Sequence, residues 1–223
     1  MMEKWIRRWY EVVVYIAGVY ALILGLGHWS LQQTALLLGL IIIHLHFFEE
    51  FGLPGGFAWG GIKVEKGQVP VDVATWPLNQ LSALWGNEWF AISVYLSPLF
   101  FPQWHWLVLA GVIFAFAELM MHWVIFNLGL HSWYNPGSLT ALLLVVPASW
   151  YLWQVVPAGQ FNWWDLIIAI GWIALNYWLA FRSPIFEWFN GHTQYTFSRA
   201  DIEKSTPYLT KFKVNVAGFK NMR

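Results

Sequence analysis

One five-residue stretch of this sequence, HFFEE, contains side chains with clear potential for chemistry. In an α-helix, residues three and four positions apart lie on one face, so His46, Glu49 and Glu50 share a face. Farther along, Glu118 and His122 are four positions apart and also share a face. Imidazole and carboxylate groups are ligands for zinc, and both can transfer protons in catalysis. The two faces together predict a metal site or an acid–base site.

A third group of polar side chains follows in a short loop and consists of Asn127, His131 and Asn135. Imidazole and amide groups can donate hydrogen bonds to the negative charge that develops on oxygen during acyl transfer. We therefore expect the three groups to line one cavity. The expected lining residues are His46, Glu49, Glu50, Glu118, His122, His131 and Asn135.

The composition is that of a polytopic integral membrane protein. Of the 223 residues, 58% are hydrophobic and only 11% are charged, whereas soluble domains usually have about 25% charged residues. The 18 tryptophans suit a chain with two membrane interfaces, where amphipathic rings anchor the helix ends. The zero net charge argues against a nucleic-acid partner, and the absence of cysteine excludes disulfides, thiolate metal sites and cysteine nucleophiles.

Apolar stretches of about 20 residues predict an all-α bundle of about six transmembrane helices. The predicted spans are residues 10–26, 31–48, 82–101, 104–126, 138–156 and 163–181. The connection at 52–80 is too polar to span and begins with LPGG, so we expect a re-entrant or amphipathic excursion there. The chain thus divides into a transmembrane domain, 1–182, and a tail, 183–223, that lies on the membrane surface.

The distribution of lysine and arginine predicts the orientation of the bundle. All 12 basic residues fall in the segments 1–9, 49–81, 127–137 and 182–223, which alternate with the others across six spans. Cytoplasmic loops carry the excess of basic residues, so both termini are expected in the cytoplasm. The three polar groups then lie toward the cytoplasmic side. The expected surroundings are the lipid bilayer of a prokaryotic inner or plasma membrane.

The order of these motifs resembles that of a known family. His46-Phe47-Phe48-Glu49-Glu50, then Glu118 and His122, then Tyr134-Asn135-Pro136-Gly137 resemble the pattern of the HXXEE-domain proteins, which are small multi-span membrane proteins. The resemblance covers about residues 10–180 and leaves the tail unexplained. It implies membership of an uncharacterised family and a hint of chemistry, not a reaction.

The first functional hypothesis is metal-dependent hydrolysis of a lipid or of a lipid-linked or membrane-embedded substrate. The motif resembles the HxxEH arrangement of inverted zinc peptidases, with the last histidine replaced by glutamate. This resemblance implies His46 and Glu50 as metal ligands, with His122 or Glu118 as a further ligand, and Glu49 as the base that activates water. If Glu118 binds as well, two metals become feasible. Zinc is the expected divalent metal, and iron or manganese also suits histidine and carboxylate ligands.

The second hypothesis requires no metal. A glutamate pair, then a histidine, then the HxxxN sequence from His131 to Asn135 resembles CAAX-type intramembrane proteases. This resemblance implies that Glu49 or Glu50 activates water while histidine and asparagine stabilise the oxyanion. The sequence departs from that pattern at Pro54, where arginine is expected, and at Glu118, where phenylalanine is expected.

The third hypothesis is a structural or binding role. Glu49 and Glu50 can mark the interface end of a helix, and His122 can pair with Glu118 in a helix–helix contact. The protein would then be an accessory subunit of a larger membrane complex, or a small carrier. The convergence of three polar groups on one side of the membrane favours the metal-dependent enzyme over this role.

Overall fold

The computed structural model describes residues 2–223, and over that range the chain is helical with no β-strand. The eleven α-helices of that range are α1 (Met2–Ile6), α2 (Trp9–Leu26), α3 (Leu31–Phe51), α4 (Phe57–Lys66), α5 (Gln80–Phe90), α6 (His105–Met120), α7 (Ser138–Val155), α8 (Trp163–Phe181), α9 (Pro184–Asn190), α10 (Arg199–Glu203) and α11 (Thr206–Lys211). Two of them continue past a π-helical segment, α5 through Ala91–Leu96 to Ser97–Phe100 and α6 through Met121–Phe126 to Asn127–Gly129. Short 3₁₀ turns lie at Val73–Thr75, Thr193–Tyr195 and Val216–Gly218.

Five helical stretches within residues 2–223 are long and apolar enough to cross a membrane, which supports the membrane class predicted from composition. They are Trp9–Leu26, Leu31–Phe51, His105–Gly129, Ser138–Val155 and Trp163–Asn190. The predicted third span corresponds to α5, which is helical but not among the five. Its polar residues Gln80, Asn87 and Glu88 lower its hydropathy.

Helix α3 is the central element of the bundle. Its start is fixed by a capping box, in which Ser30 Oγ accepts a hydrogen bond from Gln33 N and the Gln33 side chain accepts one from Ser30 N. The helix packs against α2, α7 and the π segment of α5, and α6 packs between α7 and α8. Leu37, Leu40 and Ile43 on α3 are buried. Polar side chains in the last two turns of α3 therefore meet neighbouring helices rather than water.

The connection after α3 and the C-terminal tail pack together as a cap over one end of the bundle. Ser205 Oγ donates to the Gly56 carbonyl at 2.8 Å, and Asn79 Nδ2 donates to the Asn190 carbonyl at 2.8 Å. Within the tail, Phe197 and Ile202 are fully buried. The sequence predicts this tail as a membrane-surface segment because it is mostly polar. In the structure its buried side chain Phe197 packs against Trp76 of the connection, with ring centroids 6.0 Å apart.

Candidate metal centre

Four side chains from two helices meet at the capped end of the bundle, and all except the partly buried Glu118 are buried. Their ligand atoms are His46 Nε2 and Glu50 Oε1 on α3, and Glu118 Oε2 and His122 Nε2 on the continuous α6. His46 Nε2 lies 3.6 Å from both carboxylate oxygens, while His122 Nε2 lies 3.4 Å from the Glu50 oxygen and 3.6 Å from the Glu118 oxygen. Each helix contributes an i, i+4 pair, so the four-residue spacing brings the groups together.

This arrangement fits a single divalent metal ion. Neighbouring ligands of a tetrahedral zinc site, with bonds of about 2.0–2.1 Å, lie about 3.3–3.4 Å apart. The four nitrogen–oxygen distances of 3.4–3.6 Å are close to that spacing. The ligand atoms offered by His46, Glu118 and His122 all lie within 4.8 Å of one another. Two histidines and one glutamate form a common ligand set of catalytic zinc sites.

Hydrogen bonds at the far side of each imidazole orient both rings toward the centre. His122 Nδ1 donates to Asn135 Oδ1 at 2.6 Å. His46 Nδ1 lies 2.9 Å from Thr140 Oγ1, which gives its own proton to Glu49 and therefore accepts from the histidine. Both rings then carry a proton on Nδ1 and present the Nε2 lone pair to the centre, as metal-binding histidines do.

Glu49 lies outside the centre and caps the start of α7. Its carboxylate accepts hydrogen bonds from Thr140 N at 2.8 Å, Leu139 N at 3.2 Å, Tyr134 OH at 2.8 Å and the Thr140 hydroxyl. Glu49 is the base predicted from the sequence, but these four donors occupy its oxygens and hold them at the start of α7. Consecutive residues differ by about 100° around a helix, so Glu50 faces the centre while Glu49 faces α7.

The loop residues also differ from the predicted arrangement. Asn135 is buried, and its amide nitrogen donates to the His122 carbonyl at 2.7 Å and to Asn127 Oδ1 at 2.8 Å. His131 is exposed, with its ring 5.8 Å from that of Phe212 and its carbonyl accepting from Lys211 Nζ at 2.5 Å. Asn135 therefore positions His122 instead of binding an oxyanion, and His131 lies apart from the cluster.

Gly137 and Thr140 are next to the site, although neither was predicted from the sequence as a site residue. Gly137 has a φ of 102°, and a Cβ at this position would lie 2.2 Å from His122 Cε1. Glycine alone combines that backbone conformation with so close an approach. Gly137 belongs to the Tyr134-Asn135-Pro136-Gly137 motif, but only its packing against the His122 ring shows that a larger residue does not fit there.

The Glu49 cap also connects the site to the C-terminal tail. Burial, and then the hydrogen bond to Glu49, raise the pKa of Tyr134 above its ordinary value. The Tyr134 carbonyl accepts from Tyr208 OH at 3.1 Å, and burial raises the pKa of Tyr208 to about 12. Both phenols therefore stay protonated at neutral pH and serve as hydrogen-bond donors.

A second histidine–glutamate pair lies on the other side of α3. His44 Nε2 is 3.5 Å from Glu88 Oε2, and His44 Nδ1 is 2.7 Å from the Leu40 carbonyl. The other oxygen of Glu88 is buried without a hydrogen-bond partner in the part of the chain that the structure describes. His44 is two residues from His46, about 200° around the helix, so the two rings have different neighbours.

The four-residue cluster lies on the wall of a cavity of about 580 Å³. Aromatic and aliphatic side chains form most of its wall, from α3, α4, α5, α6, α8 and α9. A metal ion at the cluster would therefore face a largely apolar space, with room for an organic ligand.

Comparison with known proteins gives the chain a family. No curated protein and no solved structure matches it. The family model described as "Protein of unknown function with HXXEE motif" matches residues 37–152, which include most of the central helix α3 and all four cluster residues. This chain therefore belongs to the HXXEE-motif family of proteins of unknown function.

Proposed function

We propose that this protein is a membrane-embedded, metal-dependent hydrolase acting on a lipid or on a lipid-linked or membrane-embedded substrate. The observation that carries the proposal is the cluster of His46, Glu50, Glu118 and His122 on the wall of a largely apolar cavity. Ionisable groups at membrane depth are costly, and they are usually kept for a functional site.

In this proposal, His46, Glu118 and His122 hold the ion, which is zinc, with iron or manganese also suited to these ligands. A divalent ion there would supply positive charge that polarises a carbonyl or phosphoryl oxygen and makes water more acidic. Glu50 takes the role first predicted for Glu49, because Glu50 lines the cavity beside these three ligands while four donors hold the Glu49 carboxylate at the start of α7. It would accept the proton of the attacking water and pass it to the leaving group.

The geometry supports this mechanism better than the metal-free one. An oxyanion site built on Asn135 would need its amide protons, but these already bind the His122 carbonyl and Asn127. The accessory-subunit hypothesis has no specific observation in its favour. The exposed apolar faces of α2 and α8 suit contact with lipid as well as contact with another subunit.

The proposed topology has six spans, with α5 as the third, and both termini in the cytoplasm. Support comes from the charge distribution and from the position of the cap, which holds most of the lysines and arginines at the end of the bundle nearest the cluster. The cluster would then face the cytoplasmic side of a prokaryotic plasma membrane. Because the chain has no cysteine, single cysteines introduced at position 28 and position 220 would test this by labelling from either side.

The first experiment is elemental analysis of the protein purified without chelators, beside His46→Ala and His122→Ala. We expect close to one zinc, iron or manganese ion per chain, absent from both variants. His192→Ala is the matched control, because His192 lies in the tail and its Nδ1 is 2.7 Å from a carbonyl of its own segment. A metal-free wild-type protein, or equal metal content in all variants, would refute the proposal.

With metal content established, hydrolysis is tested by incubating the protein in detergent with fluorogenic lipid esters and following product release. Glu50→Gln should retain the ion and lose most activity, because the amide cannot accept the proton of water. Full activity in Glu50→Gln would exclude Glu50 as the base.

A further inference from the structure

The mouth of the 580 Å³ cavity carries charges of both signs. Glu65 and Lys66 on α4, Arg182 after α8 and Glu187 on α9 all line the cavity, and all four are exposed. Within residues 2–223, none of the four side chains takes part in an ion pair. Two cations and two carboxylates are thus available to a ligand at the mouth.

A second part of the cavity, called its apolar end, is lined by Phe90, Phe114, Ile173 and Phe181. The metal cluster lies on the wall of the same cavity. Ala117 on α6 and Tyr177 on α8 also line the cavity while being exposed on the apolar surface of the bundle. The wall of the cavity therefore includes residues that also contact the surroundings of the bundle.

We propose that this cavity binds a phospholipid with a zwitterionic head group. Lys66 and Arg182 bind the phosphate, Glu65 and Glu187 bind the ammonium group, and an acyl chain extends to the phenylalanines of the apolar end. Guanidinium and ammonium groups form charge-assisted hydrogen bonds with phosphate, and carboxylates form them with an ammonium group.

The charge balance at the mouth selects this class of lipid. A purely anionic head group would be attracted by Lys66 and Arg182 but repelled by the two nearby carboxylates. A head group without charge would leave all four side chains unused. A free phosphate compound would leave the apolar end empty, so burial of an acyl chain favours a membrane lipid as the ligand.

This position of the lipid predicts which bond is hydrolysed, and the prediction rests on the proposed function. A head group at the mouth and an acyl chain at the apolar end present the joining ester bond to the cluster. Water adds to the acyl carbon, the ester carbon–oxygen bond breaks, and the alcohol oxygen takes the proton carried by Glu50. The products are a fatty acid and a lysophospholipid.

Binding can be tested separately from hydrolysis. The purified protein is incubated with a phosphatidylethanolamine that carries a photoreactive diazirine in one acyl chain, and the labelled peptides are identified by mass spectrometry. Matched probes are the corresponding phosphatidic acid and diacylglycerol. We expect labelling near Phe114 and Ile173. Phosphatidylethanolamine should label about threefold to fivefold more than either comparison probe, because exposed ion pairs contribute little binding energy.

Variants at the mouth test which side chain binds the phosphate and which binds the ammonium group. Arg182→Gln should reduce labelling by both phosphate-bearing probes, whereas Glu187→Gln should remove the preference of phosphatidylethanolamine over phosphatidic acid. Lys220→Gln and Glu203→Gln are controls of matched type on the same cap, and neither residue lines the cavity. Equal labelling by all three probes, or unchanged selectivity in both mouth variants, would overturn the inference.

The His122→Ala variant separates this inference from the proposed function. Selective labelling in His122→Ala, which lacks the metal, would show that lipid binding does not depend on the metal site. Selective labelling in a wild-type protein that binds no metal would support the lipid site and refute the proposed hydrolase. A metal-loaded protein that hydrolyses esters but labels without head-group preference would refute the lipid site alone.

Discussion

Two histidines on one helix, two residues apart, have different surroundings. His46 joins His122, Glu50 and Glu118 on the wall of a cavity, with Thr140 holding the far side of its ring. His44 meets one carboxylate and a carbonyl of its own helix. A histidine at membrane depth can therefore serve as a metal ligand only where neighbouring helices bring further ligands to it and leave space beside them.

The largest expected difference between the two histidines is in metal binding. His46→Ala should weaken metal affinity by more than about 100-fold, since loss of an outer partner of a ligand alone costs about 10–100-fold. His44→Ala should leave the affinity unchanged. Competition with a zinc-sensitive chelator dye measures both affinities. A similar loss of affinity in the two variants would contradict the different roles of His46 and His44.

The second prediction concerns the close packing beside the centre. Gly137→Ala places a methyl group against His122 and strains a residue with positive φ, so it should destabilise the protein by about 2–4 kcal/mol. Thermal unfolding in detergent measures this. Gly171→Ala is the matched control, because nothing lies within 4 Å of its added Cβ. Equal stability of the two variants would contradict the close contact between Gly137 and His122.

The third prediction tests whether Asn135 acts through His122. Asn135→Leu should lower metal affinity by about 10–100-fold, as expected for an outer partner of a ligand. Asn135→Asp should recover much of that loss, because it keeps an oxygen for His122 Nδ1. Asn176→Leu, at another buried asparagine that bonds Trp89, should not change metal affinity. If Asn135→Asp does not restore metal affinity, the loss in Asn135→Leu comes from disturbed packing and not from the missing hydrogen bond to His122.

The smallest effect is expected at the His44 pair. Replacing both partners of a buried pair by apolar residues is often neutral or stabilising. The double variant His44→Leu/Glu88→Leu should therefore lie within about 1 kcal/mol of the wild-type unfolding free energy and keep its metal. Loss of the bound ion in this variant would mean that the second pair contributes to the centre.

The all-helical membrane class and the family were readable in the sequence, because hydropathy and a short ordered motif are local properties. The two i, i+4 pairs, His46 with Glu50 and Glu118 with His122, were equally readable from helix geometry. The choice between Glu49 and Glu50 was not. Both lie within 60° of His46 on a helical wheel, so the neighbours of each carboxylate depend on how α3 is rotated against α7.

The sequence by itself therefore determined which residues can face one another along a helix, and that they lie at one end of a helical membrane protein. Only the tertiary structure decided that Thr140, Asn135 and Gly137 hold the histidines, that Glu49 caps α7, and that the tail closes over the site. Periodicity fixes the spacing of side chains on one helix. The rotation of that helix against its neighbours comes from packing between residues far apart in the chain, which no local pattern records.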